Sequence, residues 1–263
     1  MRIVSMALNV PGPVAVARLV AGGAHAIKVE PPWGDPLEQL CKPWYDELHI
    51  GVEVRRVDLK STAGATEMRQ WLADADIFVA SHRPSALGRL GLDAQTLHRT
   101  LPTLRHLNIV GDTATPEEAG HDLTYQARAG LVADAMPSTL IADMAGAERA
   151  LAAIAVAMQT SGTSSVVGLF DTLNDMAAPM RYGLTTKGGP LNGGNPAYGI
   201  YQTRHGTVAV GALEPHFRSR FYDGLGLPDG ADPTAVLMTK TAAEWETWAA
   251  ARDIPLVECR MRK

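Results

Sequence analysis

The sequence predicts an α/β protein: a large domain, residues 1–186, built on an open parallel sheet flanked by helices, followed by a smaller α+β lobe, residues 187–263. Two observations support this fold class. In the first third of the chain, short apolar runs alternate with helix-like segments, and strand–helix–strand units of this length favour a parallel sheet. After a glycine-rich stretch, the pattern changes to two short strands joined by a tight turn.

The elements of the large domain follow from apolar runs and their boundaries. We predict strands at 2–8, 25–29, 77–80 and 104–110, and helices at 14–20, 62–74, 143–159 and 171–178. Gly22 and Gly23 end the first helix, because glycine tolerates the left-handed backbone conformation found at helix C-termini. The segment 143–159 is alanine-rich and apolar nearly all round, which predicts a buried helix.

The smaller lobe begins with a glycine-rich stretch, KGGPLNGGNP, at 187–196. We interpret it as a flexible linker rather than a phosphate-binding loop, because no strand-to-helix context surrounds it. Strands at 198–201 and 207–210 then form a hairpin, and 241–252 forms an amphipathic helix.

Composition excludes several classes of function. The net charge is −4 with a pI near 6.1, and no basic stripe indicates a nucleic-acid partner. No apolar run reaches the roughly 18 residues of a membrane helix, and the N-terminus lacks a signal-peptide pattern, so we expect a cytoplasmic protein with no membrane partner. Cys41 and Cys259 lie far apart, which favours two free thiols over a disulfide or a metal site.

Several acids and one histidine are candidate functional residues, yet each has an ordinary structural interpretation. His121 and Asp122 stand at a plausible helix start, where the aspartate could cap free amides. Asp143 opens an apolar helix, where capping is again routine, and Glu214 precedes Pro215 in a turn that suggests a solvated side chain. Local patterns alone do not choose between capping and catalysis.

Six segments, taken in order, resemble the family III CoA-transferase (CaiB/BaiF) superfamily. They are VARLVAGGAHAIKVEPPWGDP, VDLKSTAG, ADADIFVASHRPSALGRLGLD, AGHDLTYQARAGL, IADMAGAERALAAIAVAM and PAYGIYQTRHGTVAVGALEPHFRSRFYDGLGL. The sequence is most similar to the α-methylacyl-CoA racemase branch, because it has histidine in Gly120-His121-Asp122 and a glutamate in Leu213-Glu214-Pro215.

The resemblance implies an enzyme that exchanges the α-proton of an acyl-CoA thioester. His121 and Asp143 would act as two bases on opposite faces of the α-carbon, Glu214 would orient His121, and a backbone amide near Asp122 would hold the enolate oxygen. A carboxyl group suits this role only where its surroundings raise its pKa.

The resemblance also extends to binding and assembly. It implies coenzyme A as part of the substrate with no further cofactor, and a homodimer. Lys28 and Arg83 would be the surviving phosphate or adenine contacts.

Departures from the family pattern keep alternatives open. The basic residues that family members carry before the DLK motif are replaced by Ile50, Val52 and Glu53, although Arg55, Arg56 and Lys60 could compensate. Family members generally continue further, so the smaller lobe is short relative to them. One alternative is a CoA-transferase that uses Asp122 as its nucleophile. The others are a diverged homologue that acts on a non-CoA substrate and one that has no catalytic activity.

Overall fold

The computed structural model describes residues 1–132 and 134–260 and divides the chain into two compact units, Met1–Ala177 and Ala178–Lys263. The division therefore precedes the predicted boundary at 186/187. The glycine-rich stretch lies wholly in the second unit, where Gly188 N donates to Asn192 O at 2.7 Å and Gly194 N donates to Gly189 O at 2.9 Å. The interpretation of this stretch as a linker between the lobes was wrong, because its backbone forms hydrogen-bonded turns.

The first unit contains a six-stranded parallel sheet, which confirms the predicted fold class. Its strands are β1 (Arg2–Ser5), β2 (His25–Glu30), β3 (Val52–Arg56), β4 (Ile77–Ala80), β5 (Arg105–Val110) and β6 (Ser164–Gly168), in the order β3-β2-β1-β4-β5-β6. β1 ends at Ser5 rather than at residue 8. The edge strands β3 and β6 were not predicted, because their partly exposed polar residues carry no continuous apolar run.

Helices cover both faces of this sheet. They are α1 (Pro11–Ala21), α2 (Pro36–Leu40), α3 (Lys42–Leu48), α4 (Thr62–Ala73), α5 (Pro84–Leu90), α6 (Ala94–Thr100), α7 (Asp122–Arg128), α8 (Ile141–Ala157) and α9 (Leu169–Met176). Successive side chains of a strand point to opposite faces. Ile77 and Val79 accordingly join a core with α1, α3, α7, α8 and α9, while Phe78 and Ala80 join a second core with α4, α5 and α6.

The strand order creates a natural ligand site. β1 pairs with β2 on one side and with β4 on the other, so the chain reverses its direction of travel across the sheet at β1. In open α/β sheets, ligands bind outside the carboxyl ends of the strands at such a reversal.

The second unit has its own core. It contains α10 (Ala178–Arg181), β7 (Tyr198–Gln202), β8 (Thr207–Gly211), α11 (Pro215–Leu225), α12 (Thr234–Leu237), α13 (Ala242–Ala250) and β9 (Leu256–Glu258). β7, β8 and β9 form an antiparallel sheet, which confirms the predicted hairpin, and Phe221, Tyr222 and Trp245 pack in the core beside it.

Two further findings concern the whole described chain. Cys41 and Cys259 are free and exposed, as predicted. Across residues 1–132 and 134–260, the structure contains no helix whose length and apolar character would suit a bilayer crossing.

Candidate functional site

A cleft of about 650 Å³ opens in the first unit at the carboxyl ends of β1, β4 and β5. Its lining comes from the segments that follow these strands and from the starts of α7 and α8: residues 8–11, 81–83, 109–111, 118–123 and Asp143, among others. The cleft therefore lies where the reversal of strand order leads one to expect a ligand.

His121 and Asp143 both line this cleft. His121 precedes α7 and is exposed, and its backbone N–H donates to Thr124 Oγ1 at 3.0 Å. Asp143 is the third residue of α8 and is partly buried. The packing of α7 against α8 thus brings together two residues that are far apart in the sequence.

The carboxyl group of Asp143 has an unusual acidity. Burial raises its pKa from 3.8 to about 7, and the negative charge of Asp122 contributes in the same direction. A carboxyl group in this range exchanges protons near neutral pH, which an ordinary aspartate does not. A carboxyl group in a cleft whose pKa is shifted far from its ordinary value is a candidate for acid–base catalysis.

Asp122, the nucleophile in the transferase alternative, lines the cleft, but hydrogen bonds hold its carboxylate. Its side chain is buried, and Oδ1 accepts from the backbone N–H groups of Ala142 (2.7 Å) and Asp143 (3.1 Å), while Oδ2 accepts from Gln126 Nε2 (2.6 Å). A carboxylate held by three donors is a poor nucleophile, because attack would break these hydrogen bonds. The structure therefore disfavours Asp122 as the nucleophile.

Tyr125 is a cleft residue that the sequence analysis missed. It is buried, and its pKa is raised by burial and then by the negative charges of Asp143 and Asp112. A Cβ atom on Gly111 or Gly120 would lie 2.1 or 2.4 Å from its hydroxyl oxygen, so both positions require glycine. The signal in the sequence was an aromatic residue one helical turn after the histidine.

An apolar wall on one side of the cleft was also missed. It consists of Leu37 and Leu40 of α2, Cys41 between the two helices, and Trp44 of α3. Because a break at Cys41 separates the two helices, no single helical repeat in the sequence indicated this surface. The wall gives the cleft a surface for a non-polar part of a ligand.

Lys28 does not fit the predicted phosphate contact. Its ammonium is buried and lies 2.5 Å from Asp35 Oδ2, 2.8 Å from His49 Nε2 and 3.2 Å from Glu30 Oε1. The pKa of His49 is lowered, first by burial and then by the Lys28 charge. Because these neighbours surround the ammonium, Lys28 has a structural role.

This buried cluster also supports the cleft. Asp35 accepts the backbone N–H of Asn9 at 3.0 Å, and Asn9 has a left-handed backbone with φ of 62°. Asn9 lines the cleft. The cluster therefore helps to hold the loop between β1 and α1 in a left-handed conformation that few residues other than glycine adopt and that asparagine tolerates better than most.

Arg83 keeps a position compatible with its prediction. It is exposed, precedes α5 and lines the cleft. Among the described residues that line the cleft, Arg83 is the one lysine or arginine, and Glu118, Asp122 and Asp143 are its acids. The cleft therefore carries little positive charge for a polyanionic ligand.

The segment that replaces the family's basic stretch lies away from the cleft. Residues 50–53 stand at the amino end of β3, whereas the cleft lies at the carboxyl ends of the strands. Arg55 pairs with Glu53, and Arg56 pairs with Glu30 and Glu38.

Of the three basic residues that could compensate, Lys60 lines a cavity. It lines a second cavity of about 230 Å³, which shares Leu8 and His82 with the cleft. The two cavities are therefore neighbours, and Lys60 adds a positive charge beside the cleft.

Glu214 belongs to the second unit. It is exposed and directly precedes α11, and its backbone carbonyl accepts from Arg218 N at 2.9 Å. Its predicted contact with His121 stays a prediction.

The family description CoA-transferase family III matches residues 1–262. α-Methylacyl-CoA racemases from Mus musculus and Homo sapiens are 27% and 26% identical to this chain, covering 93% and 92% of it and 68% and 72% of their own lengths. Cinnamoyl-CoA:phenyllactate CoA-transferase from Clostridium sporogenes is 31% identical over 42% of this chain and 29% of its own length.

Solved structures show the same fold. The hypothetical protein Rv3272 from Mycobacterium tuberculosis matches with a TM-score of 0.85 at 20% identity, over 99% of this chain and 84% of its own. A CAIB/BAIF family protein from Brucella suis matches with a TM-score of 0.78 at 19% identity, over 99% and 83%.

Proposed function

This chain belongs to CoA-transferase family III, and on that premise we propose that it exchanges the α-proton of an acyl-CoA thioester as a racemase or epimerase. The observation that carries the proposal is the shared cleft of His121 and Asp143, together with the pKa of about 7 for Asp143. At neutral pH that carboxyl group is present in both protonation states. It can therefore accept a proton in one direction and return one in the other.

The proposed mechanism uses one base on each face of the α-carbon. Imidazole and carboxyl groups both act as general acids and bases, so His121 can serve one face while Asp143 serves the other. The first N–H groups of a helix lack partners within that helix. We assign the Asp122 N–H, the first of α7, to the enolate oxygen, because a donor at that atom stabilises the developing charge.

Coenzyme A is proposed as the carrier of the acyl group. The similarity to an α-methylacyl-CoA racemase and to a CoA-transferase supports this. Arg83 lines the cleft and Lys60 lines the neighbouring cavity, so these two cations are available for the phosphates of CoA. The acids of the cleft would repel phosphates, so we expect affinity for CoA to depend on these few cations.

A transferase activity is the second candidate. The similarity to the Clostridium sporogenes CoA-transferase supports it. Asp143 would then be the nucleophile, because its carboxyl group lines the cleft while that of Asp122 is bound by three donors. Transfer of CoA to an added carboxylic acid, without incorporation of solvent deuterium, would favour this candidate over the racemase.

The decisive experiment measures exchange with solvent. Each epimer of a 2-methylacyl-CoA is incubated separately in deuterated water, and mass spectrometry and chiral chromatography follow α-deuterium and inversion. We expect the wild type to incorporate deuterium and to interconvert the epimers. His121→Ala and Asp143→Asn should each abolish inversion, with residual exchange from the face of the remaining base. His98 is an exposed histidine on α6, and His98→Ala is the matched control. It should leave both the incorporation of deuterium and the inversion of the epimers unchanged.

Glu214 provides a separate test of the orienting role. If its carboxylate orients His121, Glu214→Gln lowers the exchange rate without abolishing it, because an amide oxygen still accepts a hydrogen bond but carries no charge. An unchanged rate would remove Glu214 from the mechanism and leave the His121 and Asp143 pair intact.

Assembly and location complete the proposal. We propose a homodimer, which the family resemblance supports, and we place it in the cytoplasm. A monomeric mass by light scattering would contradict the first part, and recovery of the protein outside the cytoplasm would contradict the second.

A further inference from the structure

The amino end of α8 is capped by a side chain from another helix. α8 runs from Ile141 to Ala157, and the residue before it, Leu140, has no side-chain acceptor for the free N–H groups of the first turn. Those groups carry the positive end of the helix dipole. Asp122, on α7, supplies the missing acceptor.

The contacts of Asp122 join the first turn of α7 to the first turn of α8 and, through Gln126, to the segment before α8. Oδ1 accepts from Ala142 N at 2.7 Å and from Asp143 N at 3.1 Å, so it binds the residue whose side chain carries the proposed acid–base role. Oδ2 accepts from Gln126 Nε2 at 2.6 Å, and that same amide donates to Thr139 O at 3.1 Å, in the segment before α8. Asp122 is only 4% exposed, so these hydrogen bonds form away from water.

We propose that Asp122 is a positioning residue, whose buried carboxylate ties the first turn of α7 to the first turn of α8 and so holds His121 and Asp143 in register across the cleft. The inference rests on the proposed function, because it assigns those two side chains their roles. His121 immediately precedes Asp122 in the chain, and Asp143 gives its backbone N–H to the Asp122 carboxylate. One side chain thus fixes the backbone position at both proposed bases.

The charge of Asp122 has a second consequence. It lies close enough to disfavour ionisation of Asp143, which keeps that carboxyl group available as a proton donor near neutral pH. The other ionisable residues that line the cleft with Asp143 are His121, Tyr125, Cys41, His82, Arg83 and Glu118, and of these Tyr125 is close enough for the Asp143 charge to raise its pKa.

The test replaces the charge and keeps the shape. Asp122→Asn retains one acceptor oxygen and loses the negative charge, and Asp122→Glu restores the charge. Asp122→Ser is the second neutral variant in case the asparagine variant does not fold, since serine also accepts from helix N–H groups. Asp112→Asn is the matched control, because Asp112 is also buried and binds Arg128 of α7.

Two readouts separate positioning from mere folding. Carbon-detected NMR of labelled aspartate, assigned with Asp143→Asn, reports the titration of Asp143 without turnover. We expect the neutral variants to lower its midpoint by about one pH unit and to reduce kcat for epimerisation by about tenfold to hundredfold with little change in KM. Asp122→Glu should restore the midpoint, and Asp112→Asn should leave it unchanged.

The outcomes distinguish the two proposals. A folded neutral variant with the wild-type Asp143 midpoint and wild-type kcat overturns the positioning role. If the wild type shows no exchange but the midpoint shifts as expected, the proposed function fails, while the coupling between the two carboxyl groups stands. A shifted midpoint together with reduced kcat supports both proposals.

Discussion

The proposed catalytic carboxyl group destabilises the fold, and its removal should make the protein more stable at neutral and alkaline pH. Burial raises the pKa of Asp143 from 3.8 to about 7. The folded state therefore holds a proton between these pH values that the unfolded state has already released. The contribution of this group to the free energy of unfolding therefore falls as the pH rises from 3.8 to about 7, and it stays at its lowest value above pH 7. Asp143→Asn carries no charge and has no such loss.

The magnitude follows from the two pKa values. Each pKa unit corresponds to ~1.36 kcal/mol, so the change from 3.8 to about 7 gives at most roughly 4 kcal/mol. The gain of the variant over the wild type should be roughly a third of its full value at pH 5, grow up to about pH 7, and remain constant at pH 8.

Urea unfolding of both proteins at pH 5, 6, 7 and 8 measures this difference. Groups that do not interact with Asp143 titrate alike in both proteins, so their contributions cancel in the comparison. Asp112→Asn is the contrasting control: it breaks the 2.6 Å contact with Arg128 Nη1, so it should be less stable than the wild type at every pH. An Asp143→Asn variant that is no more stable than the wild type at pH 8, or whose gain is the same at pH 5 and pH 8, would refute the reasoning.

Two further predictions concern ligand affinity and the shape of the cleft. Arg83→Ala should weaken CoA binding several-fold in calorimetry, since Arg83 is the one lysine or arginine among the described residues that line the cleft. Lys42→Ala, which removes an exposed ion pair with Asp46, should leave CoA affinity unchanged. If Arg83→Ala binds CoA as tightly as the wild type, Arg83 is not part of the site. Gly120→Ala should lower stability by about 2 kcal/mol and reduce activity, because its Cβ would meet the Tyr125 hydroxyl at 2.4 Å. Gly88→Ala, in open space on α5, should be neutral or stabilising by thermal unfolding, and equal losses in the two alanine variants would contradict the packing argument.

The sequence predicted the elements whose residues are buried on both sides. β4 was predicted with its observed bounds, and β5 to within one residue, because continuous apolar runs indicate central strands of a parallel sheet. β3 was missed because Glu53, Arg55 and Arg56 interrupt its apolar pattern at the sheet edge. The resemblance placed His121 and Asp143 in one site, whereas local patterns left helix capping open for Asp122 and Asp143.

The capping interpretation of Asp122 was right about the role of the side chain and wrong about the helix that it caps. Asp122 does cap free amides, yet they belong to α8 rather than to its own helix. A sequence pattern indicates local caps within a few residues, whereas this one spans a separation of 20 residues between Asp122 and Ala142. Only the packing of α7 against α8 brings the acceptor and its donors together.

By itself, the sequence determined the parallel α/β class, the change to a hairpin in the second half and the family, because these depend on periodicity and on motifs that are contiguous in the chain. The tertiary structure decided which charged residues face the cleft. Lys28 was a candidate ligand contact until its ammonium proved to be surrounded by Asp35, Glu30 and His49, the last being 21 residues away. Burial and the approach of distant charges set both the availability of Lys28 and the acidity of Asp143, and neither is a property of neighbouring residues in the sequence.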